Sequence, residues 1–276
     1  MPELPEVEAT RRAIAPALVG RRIVDVEVAR ARMLRRQPDP VAFRPRMVGR
    51  IVRSLDRHGK FLLARLTNGL TWVTHLGMSG RVALGAVGSP RDPHTNVVVR
   101  VGGGTEFRLV DPRTFGFVAV LTDYEAAESP LSQLGPDAMD DLPTAASLGA
   151  ALANRTAAIK SLLLDQRILA GVGNIYADEA LHSAAISPHR QGGSISPDEI
   201  AALRVSIRAT LRSGLRLGGT SLADLAYLLP DGRSGAFGGE LRAYGRSGDV
   251  CLRCGAVVRR DVIRGRSAFW CAGCQV

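Results

Sequence analysis

The 276-residue chain is poor in aromatic residues, nearly free of lysine and without a long apolar run. No stretch approaches the ~18 apolar residues that a membrane helix needs, and no charged, apolar and small-residue leader opens the sequence. The composition, 46% apolar and 22% charged, is that of a folded chain rather than a disordered one. We therefore expect neither a membrane protein, nor a secreted disulfide scaffold, nor a disordered tail. The length suggests two domains.

The net charge is strongly positive, and arginine supplies almost all of the positive groups. Lys and Arg number 36 against 26 Asp and Glu, a net charge of +10. This balance predicts a polyanionic partner. The only lysines are Lys60 and Lys160. Codon bias explains the arginines but not the positions of the two lysines, whose compact ammonium suits phosphate binding or proton transfer.

Charge is unevenly spread along the chain. Residues 1–60 hold 14 cations and 7 acids, and residues 241–276 hold 7 cations and 2 acids. No cation lies between Arg113 and Arg155, where six acidic residues and three prolines fall. The pattern predicts a linker near residues 128–145 between two basic modules.

The first module is predicted to contain one helix followed by short strands. Apolar residues at helical spacing predict a helix that ends by Gly20: Leu4, Val7, Ile14 and Leu18. Valines that alternate with acidic residues predict a strand: Val24, Val26 and Val28. Hairpins are predicted around Asn68-Gly69 and around the glycines at 102–104. This order predicts a β-sandwich or barrel-like domain.

The second module is predicted to be helical. Helices at 156–165 and 175–184 flank a glycine-rich turn, and a capping box at 196–199 opens a helix that runs to Gly218. Four arginines on that helix are spaced i, i+4 and could follow a phosphate backbone: Arg204, Arg208, Arg212 and Arg216. Because such stripes are usually solvated faces, we favour that interpretation.

All four cysteines lie in the last 26 residues, in the pattern C-x2-C-x16-C-x2-C: Cys251, Cys254, Cys271 and Cys274. Two such knuckles joined by a hairpin provide the four soft ligands of tetrahedral Zn²⁺. The strands would be 257–260 and 267–270, with residues 264–266 at a basic tip. Two disulfides are the alternative, which the expected absence of secretion disfavours.

Two further segments suggest chemistry. The turn from Gly171 to Asn174 leads into a helix, with Asn174 at the expected N-cap, and is a candidate anion site. If Met1 is removed, Pro2 exposes a secondary amine, and an α-amino group titrates near ~7.7–8.0, well below lysine. Such an amine can attack a sugar C1′ to form an iminium ion, with Glu3 as general acid or base. The alternative is that Pro2 and Glu3 only start a helix.

Together, these segments resemble the bacterial formamidopyrimidine-DNA glycosylases from end to end. The motifs that carry the resemblance are MPELPEVE at residues 1–8, HGK at 58–60, HLGMSG at 75–80, DPRTFG at 111–116, GVGNIYAD at 171–178, YGR at 244–246 and the cysteine knuckles. The resemblance implies an α+β multidomain fold. Its expected parts are an N-terminal β-sandwich with flanking helices at 1–127, a linker at 128–145, a helix–two-turn–helix domain at 146–240 and a zinc finger at 241–276.

The resemblance also implies a function: removal of oxidised purines from duplex DNA, followed by strand cleavage through β,δ-elimination. Pro2 would be the Schiff-base nucleophile and Glu3 a proton donor, with Lys60 assigned to β-elimination and Arg266 to δ-elimination. Three residues would fill the gap left by the flipped nucleotide: Met78, Arg113 and Phe115. Four would contact the DNA backbone: His94, Arg155, Lys160 and Asn174. One structural Zn²⁺ would sit on the four cysteines.

Two other interpretations remain open. One is an endonuclease VIII-like enzyme for oxidised pyrimidines, which Leu4 and a loop at 231–237 resembling the lid over 8-oxoguanine disfavour. The other is a non-catalytic zinc-dependent DNA-binding protein, which the joint presence of Pro2, Glu3 and Lys60 disfavours. Asn96 stands where the family often has a second histidine. The implied setting is a monomer at the nucleoid of a bacterial cytoplasm, acting on DNA with oxidised bases or abasic sites and not on membranes.

Overall fold

The computed structural model describes residues 2–222 and 227–276. The chain forms two compact units. The sandwich unit comprises the residues up to Ser132 together with Leu217–Ala236, and the helix–finger unit comprises Gln133–Arg216 together with Phe237–Val276. In the described residues, no helix is both long and apolar enough to cross a membrane.

Eight strands form two four-stranded antiparallel sheets in the sandwich unit. The strands are β1 (Ile23–Val28), β2 (Val52–His58), β3 (Phe61–Leu66), β4 (Thr71–His75), β5 (Arg81–Ala86), β6 (Thr95–Val101), β7 (Thr105–Val110) and β8 (Phe117–Leu121). One sheet has the order β1-β6-β7-β5 and the other β2-β3-β4-β8. The predicted sandwich is therefore confirmed.

The core of the sandwich lies between the inner faces of the two sheets and under helix α1 (Leu4–Leu18). Trp72 on β4 meets Phe107 on β7 edge to face, with the ring centroids 4.9 Å apart. Ile14 and Leu18 of α1 are fully buried in the same cluster. Apolar area removed from water is what holds the two sheets together.

Local signals placed the turns correctly. Asn68 adopts a left-handed φ of 67° between β3 and β4, as a tight hairpin turn requires. The predicted strand is confirmed as β1, but Val24 lies outside the core, since it is 55% exposed. The pairing register between β1 and β6 shifts between Ile23 and Asp25, which turns Val24 outward.

Helix α1 begins with a capping box. The backbone N–H of Glu3 donates to the Glu6 carboxylate at 2.8 Å, and Pro5 occupies the first turn, where its missing N–H costs nothing. The helix ends at Leu18, and Gly20 follows with a φ of 81°. Two short helices complete the unit: α2 (Phe43–Met47) and α3 (Asp123–Ala127).

Four helices and one hairpin form the helix–finger unit: α4 (Ala145–Leu152), α5 (Ile159–Leu163), α6 (Asn174–Ser183), α7 (Pro197–Arg216), β9 (Val258–Ile263) and β10 (Arg266–Cys271). The first predicted helix is shorter than expected, because only Ile159–Leu163 is helical. The capping box of α7 is confirmed: Ser196 N–H donates to Glu199 at 2.7 Å, and Glu199 N–H donates to Ser196 at 3.3 Å.

The zinc-finger hairpin turns one residue earlier than predicted. Arg264 and Gly265 form the tip, both with positive φ. Arg266 already pairs with Ile263 as the first residue of β10. The Arg266 side chain therefore projects from a hydrogen-bonded strand rather than from the loop at the tip.

Candidate active site and zinc-ligand cluster

The segment that carries Pro2 and Glu3 is buried and held at the start of α1. Glu3 is 1% exposed. The Glu6 carboxylate accepts from Glu3 N–H at 2.8 Å and from Thr220 N–H at 2.7 Å. A Cβ on Gly219 would lie 2.7 Å from Glu6 Cγ, so the backbone approaches this closely because residue 219 is glycine. Glu6 therefore joins the helix start to the returning segment after α7.

The hairpin that presents Lys60 is tied to the same helix. Arg57, in the interior, bonds to Glu8 of α1 at 3.3 Å and to the Gly59 carbonyl at 3.1 Å. Burial raises the pKa of Glu8, but hydrogen bonds from Arg11 and Arg12 outweigh it and bring the pKa to about 2. An ionised Glu8 thus links the helix of Pro2 and Glu3 to the turn before Lys60, whose side chain is largely buried.

His75 is held neutral beside Lys60. Its Nδ1 accepts from Gly77 N–H at 3.1 Å, and its ring stacks on Phe117 at 5.5 Å. Burial, and then the positive charges of Lys60 and Arg35, lower the pKa of His75 to about 4. At neutral pH the imidazole therefore does not compete with Lys60 as a cation.

Two neighbouring loops carry the three residues expected to fill a gap in DNA. Met78 is 36% exposed on the loop after β4. On the loop before β8, the Arg113 guanidinium lies 4.5 Å from the centroid of the Phe115 ring. A Cβ on Gly77 would lie 2.3 Å from the backbone of Phe115. The structure therefore brings the two loops into backbone contact.

Asp111 organises both loops, and the sequence reasoning missed it. Its carboxylate accepts from the Ser79 hydroxyl at 2.6 Å and from Gly116 N–H at 2.7 Å. Its carbonyl accepts from the buried Asn96 amide at 2.7 Å. The signal in the sequence that could have identified Asp111 is its place between a strand and Pro112. Asn96, which stands where the family often has a second histidine, therefore makes a hydrogen bond within the protein.

His94 lies in a basic pocket on the sandwich unit. The pocket, of about 320 Å³, is also lined by Arg30, Arg32 and Thr114. His94 is exposed and has a left-handed φ of 63°. The cations at this rim suit a phosphate group.

The glycine-rich turn of the helix–finger unit differs from the prediction in one detail. Gly173 is the N-cap of α6, and Asn174 is the first helical residue. Asn174 Oδ1 is buried and has no hydrogen-bond partner in the described residues. Gln166 fixes the turn by accepting from Gly171 N–H and donating to the Val172 carbonyl, both at 2.9 Å. Arg155, which precedes this turn in the sequence, is exposed.

Lys160 is not at the surface. Its side chain is fully buried and pairs with Asp178 at 2.6 Å, and its ammonium donates to the Ser267 carbonyl at 2.5 Å. Asp178 in turn accepts from Phe269 N–H at 2.9 Å. The structure shows Lys160 joining α5 and α6 to strand β10, which begins at Arg266; the expected contact of Lys160 with the DNA backbone stays a prediction.

Burial raises the pKa of Asp178 to about 7, although the charge and hydrogen bond of Lys160 act in the opposite direction. Desolvation therefore outweighs the attraction within the pair. This pairing could not be predicted from the sequence, because the two residues are 18 positions apart and on different helices.

The four cysteines converge on one point. Their sulfur atoms all lie within 4.8 Å of one another, close to the roughly 3.8 Å separation that four Zn–S bonds of ~2.3 Å in a tetrahedron require. All four are free thiols, so the two-disulfide alternative is not formed. A Cβ at residue 273 would lie 3.0 Å from Cys254 Sγ, which leaves room for the cluster only because that residue is glycine. The donor set fits one structural Zn²⁺.

Family models match the chain in three consecutive parts. Residues 1–118 match the formamidopyrimidine-DNA glycosylase N-terminal domain, and residues 134–225 match its H2TH domain. Residues 248–276 match a zinc finger found in formamidopyrimidine-DNA glycosylases and isoleucyl-tRNA synthetases.

Known proteins match along the whole chain. The formamidopyrimidine-DNA glycosylase of Rhizorhabdus wittichii is 43% identical and that of Geobacillus kaustophilus is 40% identical, each with complete coverage of both chains. Among solved structures, the MutM (Fpg) protein of Thermus thermophilus is 38% identical with a TM-score of 0.89, and 99% of this chain and 98% of that chain are covered. A Lactococcus lactis Fpg variant in complex with DNA containing Fapy-dG is 29% identical with a TM-score of 0.90, and 99% of each chain is covered.

Proposed function

Because the chain belongs to the formamidopyrimidine-DNA glycosylase family, we propose that Pro2, Glu3 and Lys60 carry its chemistry. The protein is a DNA glycosylase for oxidised purines with an associated lyase activity, acting on duplex DNA that contains oxidised bases or abasic sites. The observation that supports this assignment most directly is the Glu8–Arg57–Gly59 connection, which ties the helix starting at Pro2 and Glu3 to the turn before Lys60.

In this proposal, the lone pair of the Pro2 nitrogen attacks C1′ of the damaged nucleotide. As the new C–N bond forms, the Pro2 nitrogen gives up its N–H proton. The glycosidic bond breaks, and the base leaves with its electron pair and takes up that proton. Glu3 donates a proton to the ring oxygen as the sugar opens, and C1′ is left as an iminium ion. The iminium is an electron sink, which makes the neighbouring C2′–H acidic.

Elimination then follows from the iminium ion. Loss of a C2′ proton expels the 3′ phosphate, and loss of a C4′ proton expels the 5′ phosphate. We assign Lys60 to the first of these steps and Arg266 to the second. In the first step the Lys60 amine, in its neutral form, accepts the C2′ proton, and the neutral His75 beside it adds no positive charge there.

Flipping a nucleotide leaves an unstacked hole in the duplex. We assign Met78 and Phe115 to the apolar plug and Arg113 to the orphaned partner base, since the two loops that carry them are in backbone contact. His94, Arg155 and Asn174 are assigned to the phosphate backbone. The exposed His94 and Arg155 side chains can donate to phosphate oxygens, and Asn174 can do so through its side-chain NH2 group.

When bound, Zn²⁺ supplies structural cross-linking of the hairpin. Cys251, Cys254, Cys271 and Cys274 hold the ion, and β9 and β10 then present Arg266. We further propose the domain organisation 1–127, 128–145, 146–240 and 241–276, a monomeric state, and action on the nucleoid in the bacterial cytoplasm.

The test is borohydride trapping on a duplex that holds 8-oxoguanine opposite cytosine. Reduction of the iminium ion should give a covalent adduct at Pro2, detectable by gel shift and peptide mass spectrometry. P2G should lose the adduct and the excision activity but keep most of its affinity for lesion DNA. P16A, a substitution in the exposed last turn of the same helix, is the matched control and should trap normally.

Absence of an adduct with protein that has lost Met1 would overturn the mechanism. Equal activity of P2G and P16A would remove Pro2 from its role. A panel of lesions decides the substrate class, because trapping only on oxidised pyrimidines would instead favour an endonuclease VIII-like enzyme.

A further inference from the structure

Arg35 makes an unusual set of contacts with the loop that carries Arg113 and Phe115. It follows the 3-10 turn Ala31–Leu34 and reaches across the sequence to three consecutive carbonyls. Its guanidinium donates to the Gly116 carbonyl at 2.5 Å, to the Phe115 carbonyl at 2.6 Å and, more weakly, to the Thr114 carbonyl at 3.5 Å. The same group lies 5.3 Å from the centroid of the Phe117 ring.

The loop needs such support because its backbone is strained. Thr114 has a φ of 52°, a left-handed conformation that is rare for a β-branched residue. Strained backbone persists only where surrounding contacts over-determine it. Asp111 holds the N–H side of this turn, through Arg113 and Gly116. Arg35 holds the carbonyl side.

We propose that Arg35 is a positioning residue for the gap-filling loop, setting the place of Phe115 and Arg113 by fixing three of the loop's carbonyls. The inference rests on the proposed function, in which Phe115 and Arg113 enter the space left by the flipped nucleotide. The two terminal guanidinium nitrogens each bond a different carbonyl, a geometry that the single nitrogen of a lysine ammonium does not reproduce. Arg35 thus acts through the loop and not on the DNA.

The competing explanation is that Arg35 simply attracts phosphate, as an exposed arginine on a basic protein does. Arg36 separates the two explanations. It is the next residue, exposed and equally charged, and in the described part of the chain it donates no hydrogen bond to the loop. A change at Arg36 removes the same charge and leaves the loop carbonyls bonded.

The experiment compares R35Q, R35K and R36Q with the unaltered protein in single-turnover excision of 8-oxoguanine opposite cytosine. R35Q and R35K should each lose about tenfold in rate, which corresponds to about 1.4 kcal/mol, and R36Q should remain within about twofold. Cleavage of a single-stranded abasic site, where there is no stacked gap to fill, should be unchanged in all variants. A 2-aminopurine placed next to the lesion should report slower unstacking only in the Arg35 variants.

A second duplex, with the base opposite the lesion removed, sharpens the test. Because the partner base that Arg113 would address is absent there, the deficit of R35Q should shrink relative to that on the normal duplex. Rates of R35K equal to those of the unaltered protein, or deficits of R35Q and R36Q of equal size, would overturn the positioning role. Failure of the unaltered protein to excise 8-oxoguanine would instead refute the proposed function, so the two failures are distinguishable.

Discussion

The contact between the two sheets and the contact between α6 and the finger hairpin are built from different interactions. In the sandwich unit, apolar side chains such as Trp72, Phe107 and Val99 fill the space between the sheets. In the helix–finger unit, the hairpin is joined to the helices through the buried Lys160–Asp178 pair, and its own interior is a cluster of thiols.

This difference indicates how each region responds to a single change. Apolar contacts are many and each contributes little free energy. The loss of one methyl group therefore removes only a small part of the stability of the sandwich. A buried ion pair or a metal cluster concentrates the free energy in a few atoms, and removal of one partner leaves a charge or a ligand set without its complement. The chain's two tryptophans, Trp72 in the sandwich and Trp270 in the hairpin, allow each region to be followed by fluorescence.

The largest effect is expected from loss of zinc. C254S, or treatment with a strong chelator, should unfold the hairpin, since structural zinc contributes roughly 10–16 kcal/mol in isolated fingers. In a W72F background, Trp270 emission should shift to the red, and zinc content measured by atomic emission should fall. DNA affinity should fall with it. In a W270F background, Trp72 emission should not move; a parallel shift there would show that the effect of zinc loss is not confined to the helix–finger unit.

The next largest effect is expected from breaking the buried pair. K160M leaves the Asp178 carboxylate buried without its ammonium, which should cost about 3–5 kcal/mol in urea unfolding followed by Trp270. The double variant K160M/D178N should recover most of that loss. D165N, which removes the partially exposed pair with Arg167 in the same unit, should cost less than about 1 kcal/mol. Equal losses for K160M and D165N would show that burial is not the cause.

A small change in the sandwich core should cost much less. I23V removes one methylene from the cluster between the sheets, and we expect a loss of about 0.5–1.5 kcal/mol in unfolding followed by Trp72. V24A, at the exposed neighbouring position, should stay within about 0.5 kcal/mol. A loss for I23V comparable to that of K160M would remove the contrast between the two regions.

In the pH dependence of stability, the two regions should respond with opposite sign. The pKa of His75 in the folded protein, about 4, is below its ordinary value, so the unfolded chain binds a proton that the folded chain refuses. The sandwich should therefore lose stability relative to H75F as the pH falls from about 6.5 to 4. Urea midpoints read from Trp72 at several pH values measure this difference, and a constant offset would contradict it.

Asp178 gives the opposite response. Its pKa in the folded protein, about 7, is above the ordinary value, so the folded chain keeps a proton that the unfolded chain releases. Stability read from Trp270 should therefore fall relative to K160M/D178N as the pH rises from about 4 to 7. If the stability relative to K160M/D178N instead rises with pH, the attraction of Lys160 for the carboxylate outweighs the cost of burying it.

Local signals in the sequence predicted much of the fold. Asn68-Gly69 placed a hairpin, Ser196–Glu199 placed the start of α7, and the cysteine spacing predicted the metal cluster. Each of these features is determined by residues close together in the chain. The resemblance to known glycosylases added the family, which the comparisons confirm.

Features that depend on distant residues could not be predicted in the same way. The burial of Lys160 depends on an acidic residue on another helix and on carbonyl groups of β10. The contacts of Arg35 reach a loop about eighty residues away. A charged residue in a basic sequence gives no indication of whether it faces solvent or a buried partner. The environments of both lysines and of most arginines could therefore not be predicted from the sequence.

The network around Asp111 bears on protein engineering. Its carboxylate binds Ser79 and Gly116, its carbonyl binds Asn96, and the loop it holds also depends on Arg35. The segment 111–116 is therefore not an independent cassette that could be grafted onto another scaffold by itself. A transplanted loop would keep its shape only together with three supporting side chains drawn from separate parts of the chain. The smallest portable unit of this surface is discontinuous in sequence.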